Sequence, residues 1–338
     1  MKAVVAVSTE RMTWQEVPDV AAHAGEVVIR VAAAGVNRAD LLQAAGSYPP
    51  PPGASDILGL EVSGTITEIG QGVHGWSVGQ TVCALLSGGG YAEYVAVPAD
   101  QFHHVPNPEL HDAELAAMGM CSYQTAYHMM TAANVHAGER VLVSGASGGV
   151  GTALIQLCRI VGAIPYAVSQ LDKADALRVL GAEAVIDRGD LPTFVERVLA
   201  ATDGQAIDAV MDLVGGEMTD LFIDTMIGDM QRRTTYPRLS IAGASGGNLS
   251  EIMWTRIYLY QVQIVGVSHG TREEAEQLIA WIRSGELKPV LHGAFKLSDL
   301  HQAERYFVNR GSNYLGKIVI VPDAQWDTHG APFAITTA

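Results

Sequence analysis

The sequence predicts an α/β protein in which a β-rich first third precedes a doubly wound parallel sheet covered by helices. Three observations point there. Short valine-rich or alternating runs separated by Gly, Pro or Asp dominate the chain up to about Asp112. From Arg140 onward, short apolar strands alternate with amphipathic helical stretches, as in a parallel sheet with both faces covered. Between the first of those strands and its helix lies a glycine-rich turn, Gly145-Ala-Ser-Gly148-Gly149-Val150-Gly151.

Each element follows from a local pattern. Lys2–Val7, Glu26–Ala33, Ser63–Ile69, Thr81–Leu85 and Tyr91–Val97 read as strands between turns. Ser47–Pro52 carries four consecutive prolines and is a stiff extended loop, because each proline fixes its own φ and restricts its predecessor. Ala113–Met118 and Tyr123–Ala132 read as helices. The alternation then runs strand Val141–Ser144, helix Val150–Val161, strand Ile164–Val168, helix Lys173–Leu180, strand Ala184–Ile186 and helix Leu191–Ala201. It continues with strand Ala209–Leu213, helix Thr219–Ile227, and strands Leu239–Ala242 and Gln263–Val267. Helix Arg272–Ser284, strand Phe295–Leu297, helix Leu300–Asn309 and strand Lys317–Val321 complete the pattern.

Composition narrows the function. A chain of 338 residues suggests two domains at roughly 150 residues each. With 48% hydrophobic and 17% charged residues it can build a core without long disorder. Lys plus Arg number 21 against 36 acids, and the net charge of −15 disfavours a nucleic-acid surface. Three scattered cysteines, Cys83, Cys121 and Cys158, exclude a disulfide framework and a four-cysteine zinc lobe. The N-terminus lacks a secretory apolar region, and no apolar run approaches the ~18 residues of a membrane span. A soluble cytoplasmic protein is expected.

The glycine-rich turn carries the first chemical inference. Small residues let backbone approach a pyrophosphate, and the following helix presents free N–H groups and a positive dipole end. Gly148, Gly149, Val150 and Gly151 are therefore candidate dinucleotide contacts. An NAD site usually carries a carboxylate at the end of the second strand to bond the ribose 2′-hydroxyl. Here that strand ends Val168-Ser169-Gln170, with Lys173 close behind and Arg188 just past the third strand. Ser169, Lys173 and Arg188 are the candidate adenosine-ribose contacts, and the missing carboxylate favours NADPH over NADH. Asp172 is either a helix N-terminal acid or a ribose contact; Lys173 and Arg188 are alternatively solvated surface charges.

Nearly the whole chain resembles the medium-chain dehydrogenase/reductase superfamily, in particular its zinc-free quinone oxidoreductase (zeta-crystallin-like) branch. The matching segments are Gly35-Val-Asn-Arg-Ala-Asp40, Gly46-Ser-Tyr-Pro-Pro, Gly59-Leu-Glu61-Val-Ser-Gly64, Gly145–Gly151 and Gly316-Lys317-Ile-Val. The resemblance implies a GroES-like catalytic domain from residues 1–116 completed by 270–338, with a Rossmann NADP-binding domain at 117–269. It also implies a cofactor cleft between the domains and a homodimer. Zinc-dependent relatives carry Cys near the Asn37 position, His before the Glu61 position, and a further Cys at the start of the inter-domain helix. This chain has Asn37, Leu60 and Cys121 there, so the resemblance implies no metal, with Cys121 a cleft-lining or core thiol.

Without zinc, other groups must meet the charge that builds on the acceptor. Tyr48 matches a tyrosine that lines the active site of quinone oxidoreductases and enoyl thioester reductases, and its phenol can donate a hydrogen bond or a proton; alternatively it packs against the prolines. Asn37 can supply an amide donor of the oxyanion-hole kind, or bond local backbone. Asp40 is either a supporting group or the cap of a helix starting at Leu41. By resemblance alone, Gly243, Ser245, Val267 and Ser268 pass near the nicotinamide, and Asn309 and Lys317 close over the cofactor; His269 is more simply a solvated loop residue. Two segments depart from the family pattern. One is residues 229–236, where Arg232 and Arg233 could touch an acidic substrate, and the other is the tail after Val321. Either could shape the cleft or a subunit contact.

The expected activity is hydride transfer from NADPH to a small electrophilic acceptor, a quinone by default. Reduction of an enal, enone or enoyl thioester is the alternative within the same chemistry. A nucleotide-binding structural or regulatory protein is the alternative outside it, and a zinc alcohol dehydrogenase is the least favoured reading.

Overall fold

The computed structural model describes every residue except 9–10, 105–109, 119, 229–234, 310, 312 and 336–338. Arg232 and Arg233 lie outside the described residues. The chain divides into one unit of residues 1–122, 279–311 and 316–338 and a second of 123–278 and 312–315. The sequence places the divisions near 116/117 and 269/270. They fall later because helices Met120–Ala132 and Arg272–Ser284 each begin in one unit and end in the other.

In chain order the first unit begins with β1 (Lys2–Ser8), β2 (Arg11–Glu16), β3 (Glu26–Gly35), α1 (Arg38–Ala44), β4 (Glu61–Ile69), β5 (Thr81–Leu85), β6 (Tyr94–Pro98), β7 (Phe102–His104) and α2 (Asp112–Met118). After α3 (Met120–Ala132), the second unit carries β8 (Arg140–Val143), α4 (Gly149–Ile160), β9 (Ile164–Ser169), α5 (Ala174–Val179), β10 (Ala184–Asp187) and α6 (Phe194–Ala201). It continues with β11 (Ala209–Asp212), α7 (Met218–Thr225), β12 (Arg238–Ile241), α8 (Trp254–Leu259) and β13 (Gln263–Gly266). Following α9 (Arg272–Ser284), the chain returns to the first unit with β14 (Leu291–Lys296), α10 (Leu300–Val308) and β15 (Lys317–Val321).

The first unit is built on a sheet ordered β14–β15–β3–β4–β5–β7, with β6 also paired to β3 and β1–β2 forming a separate ladder. Strand β3 is buried along almost its whole length, which its run of small and β-branched residues permits. Ala113, Ala116 and Ala117 of α2 pack against Ala33, Ala294, Val319 and Val321, so helix and sheet approach closely through small side chains. The tail is part of this core rather than a free extension. Trp326 and Phe333 pack on the same cluster, and Ala334 forms a parallel bridge to Ala294 in β14. His111 Nε2 lies 3.0 Å from the Thr328 carbonyl, and His329 Nδ1 lies 3.3 Å from Asp112.

The second unit has the parallel order β10–β9–β8–β11–β12–β13. This is the doubly wound arrangement in which strand order reverses between β8 and β11, and ligands bind beyond the carboxyl ends of the strands at that reversal. Helix α4 covers the sheet with Gly151, Leu154, Ile155 and Cys158, the three-and-four spacing of a buried face. The pieces that the sequence marks as helices at Lys173 and Leu191 open with a single 3₁₀ turn, Leu171–Lys173 and Leu191–Thr193, before α5 and α6. Helix α8 escapes a reading by periodicity because Trp254, Tyr258 and Leu259 are exposed, so no apolar stripe marks it.

Candidate active site

In the first unit, strand register brings the chemistry together. Ala34 faces Val62 across β3–β4, so one step further sets Gly35 opposite Glu61. Val319 faces Gly35 across β15–β3, and two steps along set Lys317 opposite Asn37. Gly35 has to be glycine, because a Cβ there would overlap the Glu61 carboxylate and the Ala116 carbonyl.

The result is a buried polar cluster. Glu61 is 0% and Lys317 2% exposed. The Lys317 ammonium donates to Glu61 Oε1, to Asn37 Oδ1 at 2.7 Å and to Ser122 Oγ at 3.1 Å, using its three donors. Asn37 Nδ2 donates to Glu61 Oε1 at 2.8 Å and, more weakly, to the Gly35 carbonyl at 3.4 Å. The Cys121 amide donates to Glu61 Oε2 at 3.0 Å. Burial pushes the Glu61 carboxyl up from its ordinary value, and Lys317 opposes that rise.

Asp40 extends the cluster. Helix α1 starts at Arg38, so Asp40 lies on its first turn and is not the cap of a helix starting at Leu41. Its Oδ2 accepts the Asn37 N–H at 2.7 Å and the Tyr91 hydroxyl at 2.8 Å. Burial raises its carboxyl from 3.8 to about 7, and burial likewise raises the Tyr91 phenol. The Cys121 thiol is pushed up by burial and then by Glu61, which leaves it protonated and a weak nucleophile.

Tyr48 is half-buried on the proline loop, its amide bonded to the Leu42 carbonyl at 3.2 Å. Asn309 is exposed at the end of α10. Lys317 departs from expectation. The resemblance places it over the cofactor, whereas the register of β15 seals its ammonium inside the Glu61 cluster.

In the second unit, Gly148, Gly149, Val150 and Gly151 form the turn from β8 into α4. A Cβ at Gly151 would overlap the Gly145 carbonyl and the Ala146 backbone, so the turn closes this tightly only with glycine. Ser169 ends β9, and Lys173 beyond it is only 7% exposed, with Nζ 3.4 Å from Gln170 Oε1. Arg188 is exposed just past β10. Gly243 and Ser245 follow β12, where Ser245 Oγ donates to the Leu213 carbonyl at 3.2 Å. Val267 extends β13 by bonding its amide to the Ile241 carbonyl at 2.8 Å, and Ser268 is exposed beyond it. The glycine turn, Ser169, Gly243 and Val267 thus all follow the carboxyl ends of strands of one sheet.

Sequence reasoning misses Asp212. Fully buried at the end of β11, it accepts Ser144 Oγ at 3.0 Å and the Val214 and Gly215 amides at 2.8 and 3.0 Å, which sets the loop facing Gly243–Gly247. An acid closing the apolar run Ala209–Met211 is the available signal.

Residues 23–107 match the alcohol dehydrogenase GroES-like domain family, and residues 149–284 match the zinc-binding dehydrogenase family. A crystal structure from Sinorhizobium meliloti, assigned to the alcohol dehydrogenases, superposes with a TM-score of 0.88 at 34% identity, covering 96% of this chain and 97% of that one. Rat quinone oxidoreductase is 28% identical over 305 residues, 88% of this chain and 89% of the relative. The chain belongs to the medium-chain dehydrogenase/reductase superfamily, in its quinone-oxidoreductase-like branch.

It is therefore a nicotinamide-dinucleotide-binding oxidoreductase fold. A phenolphthiocerol/phthiocerol polyketide synthase polypeptide of Mycobacterium tuberculosis is 30% identical over 302 residues. The match takes in 87% of this chain but 13% of that protein. Asn37 and Leu60 flank a Glu61 carboxylate that is bonded to the Lys317 ammonium.

Proposed function

We propose that the protein is a metal-independent reductase that uses NADPH to reduce a small electrophilic acceptor, with a quinone as the default. The observation that carries this reading is the occupation of Glu61 and Asn37 by Lys317. A cation from the chain itself already sits on Glu61 and Asn37, and an amide, a leucine and a single thiol are a poor zinc set. NADPH supplies a hydride from C4 of its nicotinamide. The glycine cradle of α4 fits its pyrophosphate, and the carboxylate-free end of β9 with Lys173 nearby suits a 2′-phosphate. Tyr48 donates a hydrogen bond or a proton to the reduced oxygen and regains a proton from solvent. Asn37 supplies a fixed amide dipole to the same acceptor.

The polyketide synthase relative favours a second reading, reduction of an enal, enone or enoyl thioester with Tyr48 protonating carbon instead of oxygen. The net charge of −15 weighs against a nucleic-acid partner. A cytoplasmic location belongs to the same reading. Among the described residues no helix is long and apolar enough to cross a membrane. A homodimer is supported by the exposed edge strand β13 beside Trp254 and Tyr258, 69% and 65% exposed; a monomeric mass in solution would contradict it.

The test is NADPH oxidation by the purified protein with a 1,4-quinone, crotonyl-CoA and a simple enal in parallel. Preferential turnover of the quinone supports the default, and preference for the enal or thioester moves the assignment to the second reading. NADPH binding without turnover on any acceptor overturns both.

A further inference from the structure

We propose that Lys317 is a positioning residue that fixes the orientation of the Asn37 side-chain amide and so aims its second N–H at the acceptor. Asn37 is the donor of the reductase proposed above, on which this role rests, and the cluster's own chemistry supplies the remainder. An asparagine amide has two nearly isosteric ends, and only its partners tell them apart. Asn37 sits between a group that can only donate and one that can only accept. The Lys317 ammonium lies 2.7 Å from Oδ1, and the Glu61 carboxylate lies 2.8 Å from Nδ2. Turning the amide over would set its NH₂ against the ammonium and its carbonyl against the carboxylate, two repulsions in a buried site. One orientation survives.

In that orientation one Nδ2 hydrogen is committed to Glu61. The other has only the long 3.4 Å approach to the Gly35 carbonyl, and is the hydrogen left for an acceptor. The backbone is held as well, since the Asn37 amide donates to Asp40 at 2.7 Å. Ser122 Oγ takes the third ammonium hydrogen and lies 3.4 Å from Asn37 Oδ1, so the cation is fully used inside the cluster. Glu61 cannot perform this task alone. Without the ammonium it would be a buried charge lacking a counter-ion, and Oδ1 would keep only uncharged donors, the Ser122 hydroxyl at 3.4 Å and the first-turn backbone of α1 that Asn37 caps.

The first experiment uses the wild-type chain, labelled with ¹⁵N-asparagine, with the Asn37 side-chain signals identified by their loss in Asn37→Ser. The expected result is one Asn37 hydrogen exchanging with solvent at least tenfold more slowly than the other. Two hydrogens exchanging equally overturn the proposal. The second uses Glu61→Gln/Lys317→Met, which removes both charges together and avoids the lone buried carboxylate that Lys317→Met alone would leave; Glu61→Leu/Lys317→Met serves if the first does not fold. In a folded double variant the two Asn37 hydrogens should exchange within about threefold of each other, and kcat should fall at least tenfold with KM for NADPH unchanged. Unchanged exchange or unchanged kcat overturns the positioning role. If the wild-type chain oxidises NADPH on no acceptor, the reductase reading fails, and the exchange measurements still decide whether the Lys317–Glu61 pair orients Asn37.

Discussion

Replacing Asp40 by asparagine should flatten the pH dependence of the first unit's stability. Asp40 is buried, and its carboxyl titrates at about 7 in the folded chain against 3.8 ordinarily. Because the folded value is raised, its contribution is fully present below about pH 4 and is lost as the pH climbs toward 7, where the unfolded chain has already released the proton. The loss accrues at about 1.4 kcal/mol per pH unit, about 3 kcal/mol between pH 4.5 and pH 8. For a unit of this size each kcal/mol moves Tm by roughly 2–4 °C, which gives roughly 6–12 °C. The side chain of the Asp40→Asn variant would still accept from the Asn37 amide and the Tyr91 hydroxyl. Its NH₂ would take the place of Oδ1, which has no hydrogen-bond partner, a pH-independent cost of about 1–3 kcal/mol. Tm of both proteins is measured by calorimetry from pH 4.5 to 8. The variant should be the less stable at pH 4.5 and should gain on the wild type by that margin at pH 8. Parallel Tm–pH curves would refute a carboxyl that holds its proton near neutrality.

Tyr48→Phe should lower kcat by about tenfold to a hundredfold with little change in KM for NADPH, because it removes a donor to the acceptor alone; unchanged turnover in steady-state kinetics removes Tyr48 from the mechanism. Lys173→Ala should weaken NADPH by about tenfold or more and leave NADH nearly unaffected, in line with the loss of one charge-assisted hydrogen bond. Equal weakening of both in a titration would show that the 2′-phosphate is bound elsewhere.

The sheet of the second unit is legible in the sequence because its strands are continuous apolar runs and its helices carry a clear face, as α4 does with Gly151, Leu154, Ile155 and Cys158. The glycine turn can be read for the same reason: a strand before it and a helix after it give the glycines their meaning. The first unit's cluster is only half legible. Asn37 stands out by resemblance, but its partners come from β4 and β15, and pairing register over 280 residues of separation has no local signature. Resemblance therefore makes Lys317 a cofactor contact, while a buried strand position opposite Asn37 makes it a counter-ion. Lys173 reads equally well as a surface charge, and the fold nearly buries it. The tail beyond Val321 carries no periodic stripe, because Trp326 and Phe333 anchor short irregular turns onto the β14–β15 edge.

The most direct test of the account is a single-turnover reaction of the purified chain with NADPH and a 1,4-quinone, followed at 340 nm on protein whose zinc content has been measured. The account predicts one NADPH oxidised per acceptor reduced, at a rate independent of zinc content and of chelator. No oxidation, or a rate that rises in proportion to bound zinc, would contradict it.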